Sequence, residues 1–130
     1  MPHNLFLIFN HRFTREQEAD AAATLGVKRI IEPPADLQDL WGDIPPDLPA
    51  IEDYLGPLRQ WLVSLAAPGD YVLIQGDFGA CFLMASFAFT HGLTPVYSTT
   101  RREAVEQVEP DGAVRLTHLF RHRTFRRYGE

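Results

Sequence analysis

Four short segments in the first 100 residues predict the strands of a sheet. Residues 5–9 (LFLIF) and 71–74 (YVLI) show no polar alternation, which is typical of strands buried on both faces of a parallel sheet. Residues 27–31 and 95–98 predict two further short strands. Helical patterns separate the runs, so the chain order indicates strand–helix–strand crossovers of the α/β kind.

Three helices are predicted between these strands. Thr14 stands three residues before Gln17, which is the spacing of a capping box, and the helix that it opens should end at Gly26. Residues 51–65 repeat apolar side chains every three or four positions, with a bend expected at Pro57. The helix that follows the third strand and runs to Phe89 is almost wholly apolar, so we expect it to be buried.

Two stretches have no simple pattern. Residues 35–49 are rich in proline and are expected to form an irregular packed connector, with a short amphipathic piece around Leu37, Leu40 and Trp41. Further on, polar segments flank Pro110-Asp111-Gly112, a turn signal that predicts a C-terminal β-hairpin and a basic tail from about residue 103 to 130. The chain is thus expected to form one α/β domain, residues 1–130, with a mostly parallel sheet and helices on both faces.

Composition narrows the class of protein. A chain of 130 residues with 45% hydrophobic and 22% charged residues is globular, which excludes a collagen, a coiled coil or an acidic tail. The single cysteine, Cys81, cannot form an intrachain disulfide and is expected to be a buried inert thiol, so we expect a cytoplasmic protein. No apolar run is long enough to span a bilayer, and no membrane partner is expected.

Charge is distributed unevenly. The net charge is −5, which argues against general nucleic-acid binding and against double-stranded DNA as a partner. Residues 1–80 hold 12 acids and 5 bases (net −7), whereas residues 81–130 hold 5 acids and 7 bases (net +2). The cationic C-terminal part is either a solvated basic face or the side of the molecule that meets an anion.

Three segments follow the first, third and fourth predicted strands, at the position where open α/β folds bind their ligands. They are residues 10–12, 75–79 and 98–102. They offer backbone amides at glycines, side-chain hydroxyls and amides, and guanidinium groups, which are the donors that a phosphodiester needs. The candidate ligand-binding residues are Asn10, Arg12, Gln75, Gly76, Asp77, Phe78, Gly79, Thr99 and Thr100, and the candidate catalytic residues are His11, Arg101 and Arg102. Asp77 is also the expected N-cap of the apolar helix.

Several enzyme classes are excluded by spacing. The glycines at 76 and 79 are followed by no Lys-Ser or Lys-Thr pair and do not have the dinucleotide-binding spacing, and there is no GxSxG motif. His118 and His122 would lie about 13 Å apart along a strand, too far to share a metal ion. No metal site and no cofactor are therefore expected.

The sequence resembles a small stand-alone Csx-type family encoded beside type III CRISPR systems. The resemblance rests on Asn10-His11 after the first strand, the connector with Leu40-Trp41 and Ile44-Pro45-Pro46, the block GDYVLIQGDFGA at 69–80, and the block PVYSTTRRE at 95–103. It implies a Rossmann-like fold related to CARF sensor domains. It also implies a cyclic oligoadenylate ligand, most plausibly the four-nucleotide ring, and an activity as a ring nuclease that switches off the antiviral signal.

A metal-independent cleavage fits the candidate residues. A ribose 2′-hydroxyl held in line can attack the adjacent phosphorus, with His11 handling a proton and with Arg101, Arg102 and the backbone of residues 76–79 stabilising negative charge. Thr99 and Thr100 would orient the ribose or the phosphate. Because the ring has twofold symmetry, we expect a homodimer that presents two copies of these loops.

Two alternatives stay open. The same loops would serve a non-catalytic binder, either a sponge for the messenger or a sensor subunit. The segment from Arg121 to Tyr128 would serve an RNA-binding module in which Phe125 and Tyr128 stack on bases. The hairpin from Glu103 to Phe120 is expected either to form the dimer interface or to cover the ligand.

Overall fold

The computed structural model describes residues 2–130, which form one five-stranded sheet in the order β2-β1-β3-β4-β5. The strands are β1 (Leu5–Ile8), β2 (Ile30–Ile31), β3 (Tyr71–Ile74), β4 (Thr94–Val108) and β5 (Val114–Arg127). The first four run parallel, and β5 pairs antiparallel with β4. The α/β class, the mostly parallel sheet and the C-terminal hairpin are therefore as the sequence predicted.

Helices cover both faces of the sheet. One face carries α1 (Arg15–Asp20), which continues as a π-helical turn (Ala21–Leu25), above Leu5, Leu7 and Val96. The other face carries α2 (Ala35–Gly42), α3 (Gly56–Leu65) and α4 (Phe78–Thr90), which bury the larger core. None of the helices within residues 2–130 combines the length and the apolar character that crossing a bilayer requires.

The predicted ends of the first helix are confirmed. Thr14 Oγ1 accepts a hydrogen bond from the Gln17 amide at 3.1 Å, and Gln17 Oε1 accepts one from the Thr14 amide at 2.8 Å, so both halves of the capping box are present. Gly26 ends the helical segment at a φ of 65°, a left-handed conformation that glycine adopts without a steric cost. Strand β2, by contrast, is limited to two residues, shorter than the predicted 27–31.

Two predictions for the middle of the chain were wrong. The first half of the expected irregular connector is the helix α2, because Leu37 and Trp41 lie four residues apart and both enter the core. Helix α3 starts at Gly56 and not at residue 51, and Pro57 stands in its first turn, where its missing amide hydrogen costs nothing, so it does not bend the helix.

Strand β4 does not end at residue 98 as predicted. It continues to Val108 because β5 supplies hydrogen-bond partners along its whole length, from Val96↔Arg127 to Val108↔Val114. The turn at Pro110-Asp111-Gly112 closes this hairpin as predicted, with the Gly112 amide donating to the Glu109 carbonyl at 2.9 Å. Since β3 pairs with β4 only up to Val96, the far part of the hairpin extends away from the body of the sheet.

Candidate functional site

The loops that follow β1 and β3 meet the part of β4 just beyond its pairing with β3, at the carboxyl edge of the sheet. The Gln75 amide donates to the Ile8 carbonyl at 3.1 Å, and the Gln75 side-chain oxygen accepts from the Ser98 amide at 2.8 Å. Gln75 thus ties together the ends of three parallel strands. The order of the strands also reverses at β1, since β2 lies on one side of it and β3 on the other, and such a switch point is where open α/β sheets form their ligand crevice.

The corner at Gly76 is built against the indole of Trp41. Trp41 Nε1 donates a hydrogen bond of 2.9 Å to the carbonyl of Gln75, and the same nitrogen would lie 2.9 Å from a Cβ added at Gly76. Only glycine therefore fits at this position without a shift of the indole. The C-terminal end of α2 thus packs against the carboxyl edge of the sheet, and the sequence pattern did not predict this contact.

Asp77 caps α4, as predicted. Its Oδ2 accepts a hydrogen bond from the Ala80 amide at 3.0 Å, so the carboxylate is turned towards the first turn of the helix. The next residue, Phe78, is 94% exposed. Gly79 lies in the first turn of the helix, where an added Cβ would meet Asp77 Oδ2 at an ordinary 3.5 Å.

An acidic cavity of about 780 Å³ lies between the ends of β1 and β2 and the helix α2. The predicted residues Asn10, His11 and Arg12 line one side of it, and the ring of His11 packs edge-on against Phe9 at 5.4 Å between centroids. The other side carries three carboxylates, from Glu32, Asp39 and Asp43. Carboxylates repel phosphate but accept hydrogen bonds from ribose hydroxyls, so this cavity is suited to the sugar and not to the phosphate of a nucleotide.

A second cavity of about 390 Å³ shares Phe9 and Arg12 with the acidic one and lies on the α1 side of the sheet. Among its lining residues are Thr100, Arg121 and His122. Arg121 is held by two carboxylates, donating to Glu103 at 3.0 Å and to Glu16 at 3.1 Å. The Arg12 side chain, which stands between the two cavities, is therefore the guanidinium best placed to meet a phosphate next to a bound ribose.

Below this second cavity a hydrogen-bonded chain joins four side chains that the sequence analysis did not connect. His122 Nε2 lies 2.6 Å from Asp20 Oδ2, and His122 Nδ1 lies 2.5 Å from Ser98 Oγ. Thr24 Oγ1 donates to the second carboxylate oxygen of Asp20 at 3.0 Å. Only 5% of the His122 side chain is exposed, so the chain of groups fastens β5 to the first helix from inside.

An apolar groove of about 670 Å³ lies on the opposite side, between α4 and the end of β5. It begins at the predicted residues Gln75, Gly76 and Phe78 and continues over aromatic side chains: Phe82, Phe89, Tyr97 and Tyr128. The composition of α4 predicted a buried helix, and this prediction is only partly correct. Phe78, Phe82 and Phe89 point to solvent. The Arg126 guanidinium lies over the Tyr97 ring at 5.7 Å from its centroid.

Two titratable groups lie at the floor of this groove. Burial raises the pKa of the Cys81 thiol, and the prediction of a buried thiol is confirmed. Burial, followed by the proximity of Cys81, also raises the pKa of Tyr128 well above its usual range. The Tyr128 hydroxyl donates to the Ile74 carbonyl, so the tail of the chain is fixed to the end of β3.

The tandem arginines lie within β4 and not in a loop after it. Because successive side chains of a strand point to opposite faces, Arg101 and Arg102 face opposite sides of the hairpin, with Arg102 on the same side as Thr100. Thr99 faces the other way and accepts from the Thr124 amide at 3.1 Å. Of the predicted residues, Asn10, His11 and Arg12 line the acidic cavity, Thr100 lines the cavity beside α1, and Gln75, Gly76 and Phe78 line the aromatic groove. Arg101 and Arg102 line none of these three cavities.

Residues outside the predicted set complete these cavities. His122 and Asp20 come together only through tertiary structure, since they are 102 positions apart. The aromatic groove had one signal in the sequence, the spacing of Phe78, Phe82 and Phe89 on one face of a helix without charged residues. Phe125, proposed above as a base-stacking residue of an RNA-binding module, is only 8% exposed and packs against Phe13, so it cannot take that role.

The sheet order and the crevice at its carboxyl edge place the protein among single-sheet α/β proteins of the doubly wound type. The chain belongs to the family described as "Uncharacterized protein MJ1673 family", whose sequence model matches residues 3–126. It is similar to "Uncharacterized protein MJ1673" of Methanocaldococcus jannaschii, with 45% identity over 124 residues, which is 95% of each chain. No solved structure gives a significant match.

Proposed function

We propose that the protein binds a cyclic oligoadenylate, the four-nucleotide ring, at the carboxyl edge of its sheet and cleaves it without a metal ion. The observation that carries this proposal is the aromatic groove beside the Gly76 corner. Single-stranded nucleotides are held by stacking of their bases on aromatic rings and guanidinium planes, and the groove offers exposed Phe82, with Tyr97 under Arg126.

The neighbouring cavities suit the remaining parts of a nucleotide. The carboxylates of the acidic cavity can accept hydrogen bonds from ribose hydroxyls, and Arg12 lies between that cavity and the one beside α1. The Gly76 corner and Trp41 lie between the acidic cavity and the groove. Gly42, next to Trp41 in the chain, lines the acidic cavity, and Gly76 lines the groove. Base, sugar and phosphate would thus occupy adjacent parts of one edge.

The proposed reaction needs only this edge and the ligand itself. The ribose 2′-oxygen attacks the adjacent phosphorus, the bond from phosphorus to the 5′-oxygen breaks, and the products are a 2′,3′-cyclic phosphate and a 5′-hydroxyl on an opened chain. The 2′-proton passes to His11, and the 5′-oxygen takes up a proton as it leaves. Arg12 offsets the negative charge of the phosphorane.

The resemblance to small Csx-type proteins is a second, independent support. It proposes the same ligand, a role in switching off type III CRISPR signalling, and a cytoplasmic location. Neither of the tandem arginines lines the cavity beside α1, and Arg102 is the one that shares a face with Thr100, which does line it.

A second candidate function is sequestration without cleavage. It is favoured by the His122 imidazole, whose two nitrogens are both occupied by Asp20 and Ser98, so the better buried of the histidines at this edge has no free nitrogen for a substrate. Cleavage would have to depend on His11 instead, which packs against an aromatic neighbour and, within residues 2–130, contacts no orienting carboxylate.

The test is incubation of purified protein with excess cyclic tetra-adenylate in the presence of a chelator, followed by chromatography. Opened product with a 2′,3′-cyclic phosphate is the result expected for the ring nuclease, and stoichiometric recovery of intact ring is the result for sequestration. Thermal shift with rings of three, four and six adenylates measures binding separately. If none of the rings shifts the melting temperature and none is consumed, both functions are excluded.

Matched variants identify the residues. His11→Ala should abolish opening of the ring and leave binding, whereas His91→Ala, an exposed histidine at the far end of α4, should change neither. Arg12→Gln should weaken binding at least tenfold. Arg29→Gln is its control, since Arg29 directly precedes β2 at the opposite edge of the sheet.

A further inference from the structure

The hairpin of β4 and β5 extends beyond the sheet as a two-stranded arm. We define the arm as Arg101–Val108 and Val114–Arg121 with the turn between them; its residues pair with each other, from Arg101↔Arg121 to Val108↔Val114, and β3 reaches no further along β4 than Val96. An isolated two-stranded hairpin is marginally stable in water and needs a third strand or a packed face for stability. We therefore expect another protein surface to cover the arm.

The arm has one apolar face. Residues directly opposite each other in a ladder point to the same side, so the register assigns eight side chains to that side. They are Arg102, Ala104, Glu106 and Val108 on β4, and Val114, Leu116, His118 and Phe120 on β5. Val108, Val114, Leu116 and Phe120 are 77%, 63%, 56% and 68% exposed. Contiguous exposed apolar side chains of this kind mark interaction sites.

We propose that this apolar face packs against the same face of a second copy of the chain. The charges on the face are the reason for choosing a second copy. The face carries one arginine, Arg102, and one glutamate, Glu106, and they lie at equal distances on either side of Ala104 along β4. Consider a twofold axis that lies between the two faces, next to Ala104, and runs perpendicular to the strands. It sets Arg102 of each copy opposite Glu106 of the other copy.

The same register matches the apolar side chains in part, since Val108 and Val114 of one copy come to lie opposite Thr100 and His122 of the other. Rotation about the axis by Ala104 places Phe120 of one copy opposite Leu116 of the other, and the small Ala104 side chains meet at the centre. Two such faces stack about 10 Å apart, as in a β-sandwich. Each Arg102 and Glu106 then faces an opposite charge, which a stacking with parallel arms would not achieve, because it would set Arg102 opposite Phe120 and Glu106 opposite Leu116.

The opposite face of the arm does not suit this role. It carries Arg101, Glu103, Arg115 and Arg121, and Arg121 already bridges Glu103 and Glu16.

The arm is about 25 Å long, so the contact is smaller than a standard interface, and we expect a dimer that dissociates on dilution. The inference does not depend on the proposed ligand, since every contact in it is made by the protein alone.

Sedimentation equilibrium of the full chain over a wide concentration range tests the dimer. The expected mass rises from 14.8 kDa at high dilution towards twice that value. Leu116→Glu on the apolar face should weaken association at least tenfold, and Thr117→Glu, the neighbouring position on the other face, should leave it unchanged. A mass of 14.8 kDa at every concentration, or a dimer that Leu116→Glu leaves intact, overturns the proposal.

A charge exchange tests the register without removing apolar contacts. Arg102→Glu should weaken the dimer by setting two glutamates against each other, and Arg102→Glu combined with Glu106→Arg should restore it. Circular dichroism of each variant shows that the chain is folded. If the double variant does not recover the dimer, the antiparallel register is overturned. If Phe82→Glu abolishes the dimer and Leu116→Glu has no effect, the interface lies on α4 and the proposal is overturned.

Discussion

The imidazole of His122 lies 2.6 Å from the carboxylate of Asp20, and this contact joins the last strand of the sheet to the first helix. Asp20 is the residue at which α1 passes into its π-helical turn. Such turns are rare, because they are held by weaker hydrogen bonds than an α-helix, and they recur at positions where a side chain has to be placed precisely. The contact fixes the root of the hairpin from which the arm extends.

His122→Ala should therefore destabilise the fold. It removes two buried hydrogen bonds and leaves Asp20 without the imidazole, so we expect a loss of about 2–3 kcal/mol in the free energy of unfolding. Arg123→Ala, the adjacent exposed residue in the bulge of β5, should change that free energy by less than about 0.5 kcal/mol. Urea unfolding followed by tryptophan fluorescence measures both, and equal stability of the two variants would contradict the role of His122.

Gly76 and Gly79 should respond in opposite ways to alanine. A Cβ at Gly76 would lie 2.9 Å from Trp41 Nε1, so Gly76→Ala should cost about 1–3 kcal/mol of stability. Gly79 is a helical residue with room for a Cβ, so Gly79→Ala should stabilise the protein by up to about 1 kcal/mol. Thermal unfolding of both variants checks the pair, and combining Gly76→Ala with Trp41→Leu should cost less than the sum of the two single changes.

The cap of α4 is the third prediction. Asp77→Ala removes the acceptor of the Ala80 amide and should cost about 1 kcal/mol, whereas Asp77→Asn keeps an acceptor oxygen and should cost much less. Chemical denaturation of the three proteins measures the difference. A loss of similar size in both variants would show that the charge of Asp77, and not the hydrogen bond, stabilises the helix.

Stability should fall at alkaline pH because of Cys81 and Tyr128. The pKa of each group is raised in the folded protein, mainly by burial, so each holds its proton more tightly when folded than when unfolded. Their contribution is complete below the unfolded pKa values, 9.0 for cysteine and 10.0 for tyrosine, and it is lost as the pH rises through the higher folded values. Melting temperatures between pH 8 and 11 should decline less steeply in Cys81→Ala, and an unchanged slope would exclude this origin.

The aromatic groove provides a prediction for binding. Phe82 is 71% exposed, so Phe82→Ala should have little effect on stability but should weaken the binding of cyclic tetra-adenylate by about tenfold or more, since stacking contributes roughly 1–3 kcal/mol per base. Val63→Ala, another exposed apolar residue, on α3, is the control. Isothermal titration calorimetry separates the two, and equal affinity in both variants would remove the groove from the site.

Much of the fold could be read from local sequence. The runs at residues 5–9 and 71–74 had no polar alternation, and both became buried parallel strands. Thr14 with Gln17, Asp77, and Pro110-Asp111-Gly112 each set a helix start or a turn through hydrogen bonds within a few residues. The location of the candidate ligand-binding loops at one edge also followed, because the carboxyl ends of parallel strands necessarily lie together.

What the sequence determined by itself were the features that depend on neighbours in the chain: the caps, the hairpin turn, the alternation of strands and helices, and the apolar composition of α4. The tertiary structure alone decided which face of α4 stays exposed, how far β4 continues, and that His122 meets Asp20. These depend on groups that are distant in sequence, since a strand continues only where a partner strand offers hydrogen bonds and a side chain is buried only where another element covers it.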